Sequence, residues 1–383
     1  MTLVETAPLN STSANDINLA ACRSILVAKL DRIGDFILAT PFLRGLRHSA
    51  PNARINLFVT PEVFPLAETC PYVDRVLSVT NVNGTPQMSG TSEKIVHGIM
   101  DDFRTGNFDL TVTPRWDYDF WNASALCSTT GAKHRIGFSV PGAYQDKPQY
   151  GFNYSATLSR PFSAHEVEHN LALLEFMGGT PQGDELELWM LPQEMEEASR
   201  RLAKLPGDDP IVTICPGASL TRKTLPPRKL LSILQRVKSE VPAIRFLVLG
   251  QNAERPFADT LTKELPHTHS FCGETNIRQT VALIASTSAL IGMDSGPGHI
   301  AAAADIPVAV FSCFGKNGNP IVDCSPVRWR PRGKRESLVI QPEVALWPCT
   351  SMCVAGTHHC TTSILEEESS QAIAGLLKRA INA

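Results

Sequence analysis

The stretch from Ala289 to Phe311 constrains the fold more than any other part of the chain. An apolar run leads into Asp294, Ser295 and Gly296, small residues follow, and a second apolar run begins after Pro307. This order predicts a strand, a tight turn, a helix and a second strand, which is one unit of a parallel α/β sheet. The helix begins at the carboxyl end of the strand, where its free N–H groups favour an anionic ligand. An ordinary crossover helix capped by Asp294 or Ser295 is the alternative interpretation.

Size and charge exclude several classes of protein. The chain has 383 residues, of which 43% are hydrophobic, and this is enough for two cores. A net charge of -3 without a long basic run argues against nucleic acid as a partner. The sequence has no apolar stretch long enough to span a membrane and no signal peptide, and residues 1–20 have the composition of a flexible leader. We therefore expect a cytoplasmic protein.

Strands and helices alternate through both halves of the chain, which predicts two doubly wound, Rossmann-like α/β domains. We place an N-terminal domain at residues 21–180 and a C-terminal domain at residues 181–362. Residues 363–383 are expected to form a helix that packs back across the junction. Two such domains commonly share a ligand cleft. The expected strands lie within Ser24–Leu30, Arg54–Thr60, Asp74–Val79, Phe108–Thr113, Ile211–Cys215, Ile244–Leu249, Ala289–Met293 and Val308–Phe311.

The turns that follow these strands carry distinctive residues. The chain has no GxxxxGK[ST] sequence, and only Gly296–Ala301 meets the looser form of GxGxxG, which disfavours P-loop enzymes and dehydrogenases. Three blocks stand out instead: GDFILATP with Asp35, PGASLTRKTLP at Pro216–Pro226, and DSGPGH at Asp294–His299.

These three blocks, in this order, resemble the ADP-heptose:lipopolysaccharide heptosyltransferase family, glycosyltransferase family 9. The resemblance spans Ser24 to about Pro320. Thr224 and Leu225 depart from the family, which often has tryptophan there. The matching residues are Gly34, Asp35, Thr40, Pro41, Pro216–Ser219, Lys223, Asp294, Ser295, Gly296, Pro297 and His299.

The resemblance implies a GT-B architecture and an inverting sugar transfer from a nucleotide diphosphate, with neither a catalytic metal nor a cofactor. The donor it implies is ADP-heptose or a related nucleotide sugar, and the acceptor is a lipopolysaccharide-type glycolipid or another surface polysaccharide. Inversion needs one carboxylate to take the proton of the acceptor hydroxyl, and Asp35 is the candidate base. Its alternative role is a helix N-cap, and Asp31 is a less favoured substitute because it does not align with the Gly-Asp of the family.

Donor binding is assigned to the second and third blocks. Lys223 would balance the negative charge of the leaving diphosphate, together with the backbone amides around Ser295 to Gly298. An acidic residue of the family contacts the ribose where Glu254 stands, although an exposed glutamate at a helix start is the plainer interpretation. Met293 either lines the base pocket or ends a strand. Hydroxyls of Ser219 and Thr221, together with Asp294 and His299, complete the expected donor site.

Recognition of an acidic acceptor is assigned to Arg32 and Arg115, which follow strand ends. His165 resembles a family histidine, with a role in acceptor recognition or in domain packing. We expect a monomer that contacts the inner membrane only peripherally.

A cluster late in the chain contains Cys349, Cys353 and Cys360 beside His358 and His359. These soft ligands suit zinc, but their spacing matches no standard paired-cysteine signature. Unligated or redox-labile thiols are therefore the favoured interpretation, and no metal site is assigned.

Two other functional classes stay open. A non-catalytic nucleotide-sugar-binding protein could keep this fold, although the presence of Asp35 and Lys223 favours an enzyme. An epimerase acting on nucleotide sugars calls for other placements of carboxylates and histidines. A transferase that uses a different donor sugar is compatible with every block.

Overall fold

The computed structural model describes residues 14, 16–82, 85–90, 101–103, 105–116, 119, 122–139, 153–160, 164–318, 325–349 and 355–381. The chain forms two compact units, residues 1–184 and 185–383. Most of the expected leader, residues 1–20, lies outside the described residues. Within the described part of the chain, every helix is too short or too polar to span a bilayer.

The first unit is built on a seven-stranded sheet in the order β4-β3-β2-β1-β5-β6-β7. All neighbours are parallel except β3 and β4, which form an antiparallel pair. The strands are β1 Ser24–Lys29, β2 Arg54–Val59, β3 Arg75–Val82, β4 Thr85–Gly90, β5 Leu110–Val112, β6 His134–Phe138 and β7 Ala156–Leu158. The helices are α1 Ile33–Ile37, α2 Thr40–Ser49, α3 Phe64–Ala67, α4 Ala123–Ser128 and α5 Glu166–Phe176.

The second unit is built on a six-stranded parallel sheet in the order β10-β9-β8-β11-β12-β13. Its strands are β8 Ile211–Cys215, β9 Arg245–Val248, β10 Thr268–Ser270, β11 Ala289–Met293, β12 Val308–Phe311 and β13 Ser337–Ile340. Its helices are α6 Pro192–Leu202, α7 Pro227–Glu240, α8 Arg255–Glu264, α9 Ile277–Ala285, α10 Gly296–Ala303, α11 Pro326–Trp329 and α12 Glu366–Ile381.

Each sheet has one point where the strand order reverses. In the first unit this point lies between β1 and β5, and in the second between β8 and β11. The crevice beyond the carboxyl ends of such strands is the ligand-binding position of doubly wound sheets. The fold therefore directs attention to the residues that follow these four strands.

The helical spacing of apolar residues from Phe36 to His48 predicts one helix, but the structure has two, α1 and α2. Pro41 has no N–H and cannot donate to the carbonyl of Ile37, four residues before it. The hydroxyl of Thr40 donates to that carbonyl instead, at 2.8 Å. As a result α1 ends at Ile37, and the residues around Gly34 and Asp35 form a helical turn rather than an open loop.

Helix α12 belongs to the core of the second unit. It packs against α7 and β13, and its buried residues Ile373, Ala374, Leu376 and Leu377 join the hydrophobic cluster of that unit. The apolar spacing in the sequence thus marks the buried face of this helix.

Candidate active site

A buried ion-pair network follows β1 at the reversal point of the first unit. Lys29 Nζ lies 2.6 Å from Asp31 Oδ2, and both side chains are only 2% exposed. Lys29 also donates to the carbonyl of Pro114, at 2.8 Å, while the Arg115 guanidinium pairs with the other oxygen of Asp31. Burial acts to raise the pKa of Asp31, but the Arg115 and Lys29 cations outweigh it and lower the pKa to about 2. Asp31 therefore stays ionised and is a weak base.

Asp35 has the opposite electrostatic environment. Burial, and next the ionised Asp31, raise the pKa of Asp35 to about 6, although Arg115 at 3.7 Å opposes this shift. The side chain remains 19% exposed, so a proton can reach it. The N-cap of α1 is Arg32, and the alternative interpretation of Asp35 as that cap is wrong. Asp35 is therefore a carboxyl group without a capping role, and its pKa is about 6.

The two other residues assigned to the acceptor have different surroundings. Arg32, which precedes Asp35 in the same turn of the chain, is exposed. His165 is buried and caps α5: its Nδ1 accepts from the amide of Val167 at 3.3 Å, and its own amide donates to Glu168 at 3.2 Å. This places Glu166 at the start of α5, where its buried carboxyl also raises the pKa of Asp35. His165 thus has a capping role within the first unit.

In the second unit, the turns after β8 and β11 meet at Gly217. Ser295 Oγ donates to the Gly217 carbonyl at 3.4 Å. A Cβ on Gly217 would lie 2.6 Å from Glu254 Oε1, so only glycine admits the glutamate there. Glu254 is held by the amide of Gln251, which donates to Oε2 at 2.7 Å. Glu254 and Ser295, which come from separate stretches of the sequence, therefore both lie next to Gly217.

Lys223 and Asp294 form the charged pair of this site. Lys223 Nζ lies 3.8 Å from Asp294 Oδ2, and the aspartate side chain is 6% exposed. Burial raises the pKa of Asp294, and Lys223 acts in the opposite direction. Oδ2 has no hydrogen-bond partner among the described residues. The carboxylate can thus accept a donor from a ligand while it positions the lysine.

The beginning of α10 offers fewer amides than the sequence implied. Ser295 occupies the N-cap but makes no capping bond, because its hydroxyl donates to Gly217 and to the carbonyl of Met293 at 3.3 Å. Pro297 has no N–H, and the amide of Gly298 donates to Ser295 O at 3.0 Å. The amides of Ser295 and Gly296 are the ones that can meet an anion.

The remaining donor residues divide by burial. Ser219 and Thr221 are exposed beside Lys223, where their hydroxyls are accessible. His299, in the first half of α10, is buried. Met293 is fully buried in the hydrophobic core of the second unit, where it ends β11. This position agrees with the interpretation that Met293 ends a strand.

Part of the cysteine cluster is brought together. The ligand atoms of Cys349, His359 and Cys360 all lie within 4.8 Å of one another. Cys353 lies outside the described residues. His358 points elsewhere, with Nδ1 3.1 Å from the carbonyl oxygen of Thr224.

The sequence interpretation missed Lys29. Its signal is a lysine at the end of an otherwise apolar strand, two residues before an aspartate. A buried lysine of this kind needs a partner, and here the partner is Asp31.

Comparisons with known proteins agree with this arrangement. The family model described as glycosyltransferase family 9 (heptosyltransferase) matches residues 103–351, a range that does not include Asp35. Lipopolysaccharide heptosyltransferase 3 of Escherichia coli K12 is 25% identical over 303 residues, which cover 78% of this chain and 82% of that protein.

Two solved structures share the fold. The E. coli ADP-heptose lps heptosyltransferase II superposes with a TM-score of 0.65 at 18% identity and covers 93% of this chain and 99% of its own. The E. coli heptosyltransferase WaaC with ADP has a TM-score of 0.62 at 15% identity and covers 92% and 99%. The family model matches most of the chain, and the two doubly wound units carry acidic and basic groups at the points where their strand order reverses. This chain therefore belongs to glycosyltransferase family 9, the heptosyltransferases.

Proposed function

We propose that the protein transfers a heptose from ADP-heptose, with inversion and without a catalytic metal, to a lipopolysaccharide-type glycolipid. The observation that carries this proposal is the contrast between Asp31 and Asp35. One carboxylate is locked in the ionised state by two cations, and the other has a pKa of about 6 and stays partly exposed. A pair of acidic groups with separated pKa values is typical of acid–base chemistry.

Asp35 acts as the general base in this scheme. It removes the proton from the acceptor hydroxyl as that oxygen attacks the anomeric carbon, and the bond to the diphosphate breaks on the opposite face. Arg115, within 3.7 Å of Asp35 and paired with Asp31, keeps the site from accumulating negative charge. A single carboxylate is sufficient because inversion forms no covalent intermediate and the diphosphate departs as a stabilised anion that needs no general acid.

The second unit stabilises the leaving diphosphate. Lys223 supplies the positive charge, and the amides of Ser295 and Gly296 supply fixed dipoles at the start of α10. Exposed hydroxyls of Ser219 and Thr221 lie in the same turn region. In this scheme Glu254, which lies against Gly217, accepts hydrogen bonds from the ribose hydroxyls.

The donor and the acceptor are proposed from the relatives. WaaC is described with ADP, and the other E. coli neighbour is an ADP-heptose lps heptosyltransferase. An acceptor of this kind resides in the inner membrane, so we propose a cytoplasmic enzyme that visits the membrane face peripherally. The monomeric state stays a prediction.

Calorimetric titration with ADP, UDP, GDP and CDP, without added metal, tests the donor. We expect preferential binding of ADP, weakened about 10- to 100-fold by Lys223→Ala because a charge-assisted phosphate contact is lost. Lys204→Ala, an exposed lysine of the same unit, is the matched control and should bind ADP normally. Preference for another nucleotide would reject ADP-heptose as the donor. Absence of binding to all four would contradict a nucleotide-sugar donor altogether.

A further inference from the structure

The described residues between β13 and α12 have little regular structure. No helix or strand is assigned in residues 341–349 and 355–359, and a short 3-10 turn, Cys360–Ser363, precedes α12. Long irregular connections inside compact domains are uncommon and need local fixation. Buried in this connection are Cys349 and Cys360, with exposed fractions of 7% and 3%. Neither cysteine forms a disulfide bond.

The geometry of the cluster suits a soft cation. Sγ of Cys360 lies 3.4 Å from Nδ1 of His359, and Sγ of Cys349 completes a group whose atoms are all within 4.8 Å. Zinc bound tetrahedrally at about 2.3 Å to sulfur and about 2.0 Å to nitrogen separates these two ligands by roughly 3.6 Å. The observed sulfur–nitrogen spacing is thus close to that of a zinc site.

A divalent metal would also balance the charge of the ligands that bind it. Two thiolates carry two negative charges, and burial of unpaired charge is costly. A dication with two thiolates and a neutral imidazole makes a group of zero net charge, which can lie in the interior. Among the described residues, this is the one cluster of three potential ligands found.

We propose that Cys349, His359 and Cys360 bind a structural zinc ion. The ion joins the beginning and the end of the connection and fixes residues 355–363. This segment in turn contacts the turn after Lys223 and the start of α7: His358 Nδ1 lies 3.1 Å from Thr224 O, and Lys229 Nζ donates to Thr362 O at 2.6 Å. Zinc therefore supports the backbone that carries Lys223 without taking part in sugar transfer.

Metal content of the full chain, purified without a histidine tag from zinc-supplemented culture, tests the proposal. We expect about one zinc per chain by mass spectrometry, and Cys349→Ser and Cys360→Ser should each lower this at least tenfold. Two matched controls should retain the metal: Cys272→Ser, another buried thiol, and His358→Asn, the neighbour that faces Thr224.

A second measurement keeps the proposal testable if the serine variants fail to fold. Cobalt added to the chelator-treated wild-type chain should produce thiolate-to-cobalt charge-transfer absorption, and zinc should abolish it and restore the melting temperature. Wild-type protein with less than about a tenth of an equivalent of metal and no cobalt–thiolate band would overturn the site. These readouts do not depend on transfer activity, so they separate this inference from the proposed function.

Discussion

At the scale of single residues, Asp35, the proposed base, carries a stability cost. Its pKa of about 6 lies above the ordinary value of 3.8, so the ionised form destabilises the fold at neutral pH. We expect Asp35→Asn to lower kcat by about 10²- to 10⁴-fold with ADP affinity unchanged, because a base acts in the transition state. The same variant should gain about 1–3 kcal/mol of stability at pH 7.

This gain in stability has a defined pH dependence. Because the folded pKa is raised, the difference in unfolding free energy between the Asp35→Asn variant and the wild type should shrink as pH falls through 6 towards 4. Thermal melts across this range and initial-rate kinetics measure the two effects. Near-normal turnover of Asp35→Asn would remove Asp35 from the role of base.

The pH profile of the reaction is a second prediction for this residue. The base must be unprotonated, so kcat/KM should fall about tenfold per pH unit below an apparent pKa of about 6. Arg115 lowers the pKa of Asp35, and Arg115→Gln should therefore move the acidic limb to higher pH. Arg32→Gln, an exposed arginine close in sequence, is the control and should leave the limb in place. If the acidic side of the kcat/KM profile stays in place in Arg115→Gln, Arg115 does not lower the pKa of the group that controls the rate.

At the scale of elements, the turn after β8 depends on a close approach. The Cβ of Gly217→Ala would meet Glu254 Oε1 at 2.6 Å, so the glutamate must move away from the site. We expect Gly217→Ala to weaken ADP binding about as much as Glu254→Ala does. A double-mutant cycle, measured calorimetrically, is the control: in the Glu254→Ala background the additional Gly217→Ala change should cost little more. Additive losses would show that the two residues act separately.

The same scale shows which elements were predictable. Long apolar runs such as Ser24–Lys29 and Ala289–Met293 were identified as strands because parallel strands are buried on both faces. The short strands His134–Phe138, Thr268–Ser270 and Ser337–Ile340 were missed, since sheet context rather than local pattern determines them. The break between α1 and α2 was also missed, although Pro41 is its physical cause.

At the scale of the whole molecule, the proposed reaction divides its tasks between the two units. In this proposal the first unit contributes the base Asp35, and the second contributes Lys223 and the amides of Ser295 and Gly296. In the proposed scheme Lys223 and the amides at the start of α10 balance the negative charge of the leaving diphosphate. Initial rates in metal-free buffer should therefore equal those with Mg²⁺ or Mn²⁺ within about twofold. The product should show the opposite anomeric configuration by NMR. A strong activation by Mg²⁺, or retention of configuration, would refute the scheme.

The sequence by itself determined the alternation of strands and helices, the positions of the glycine turns, and the ordered blocks that carry Asp35, Lys223 and Asp294. These are local properties of spacing and side-chain chemistry. Only the tertiary structure decided how the blocks combine. It brings Arg115, which follows β5, to Asp31, and it sets Glu254 against Gly217. It also buries Met293 in the core and groups Cys349 with His359 and Cys360. Sheet order brings distant segments together, and burial then sets the charge and pKa of the groups that meet.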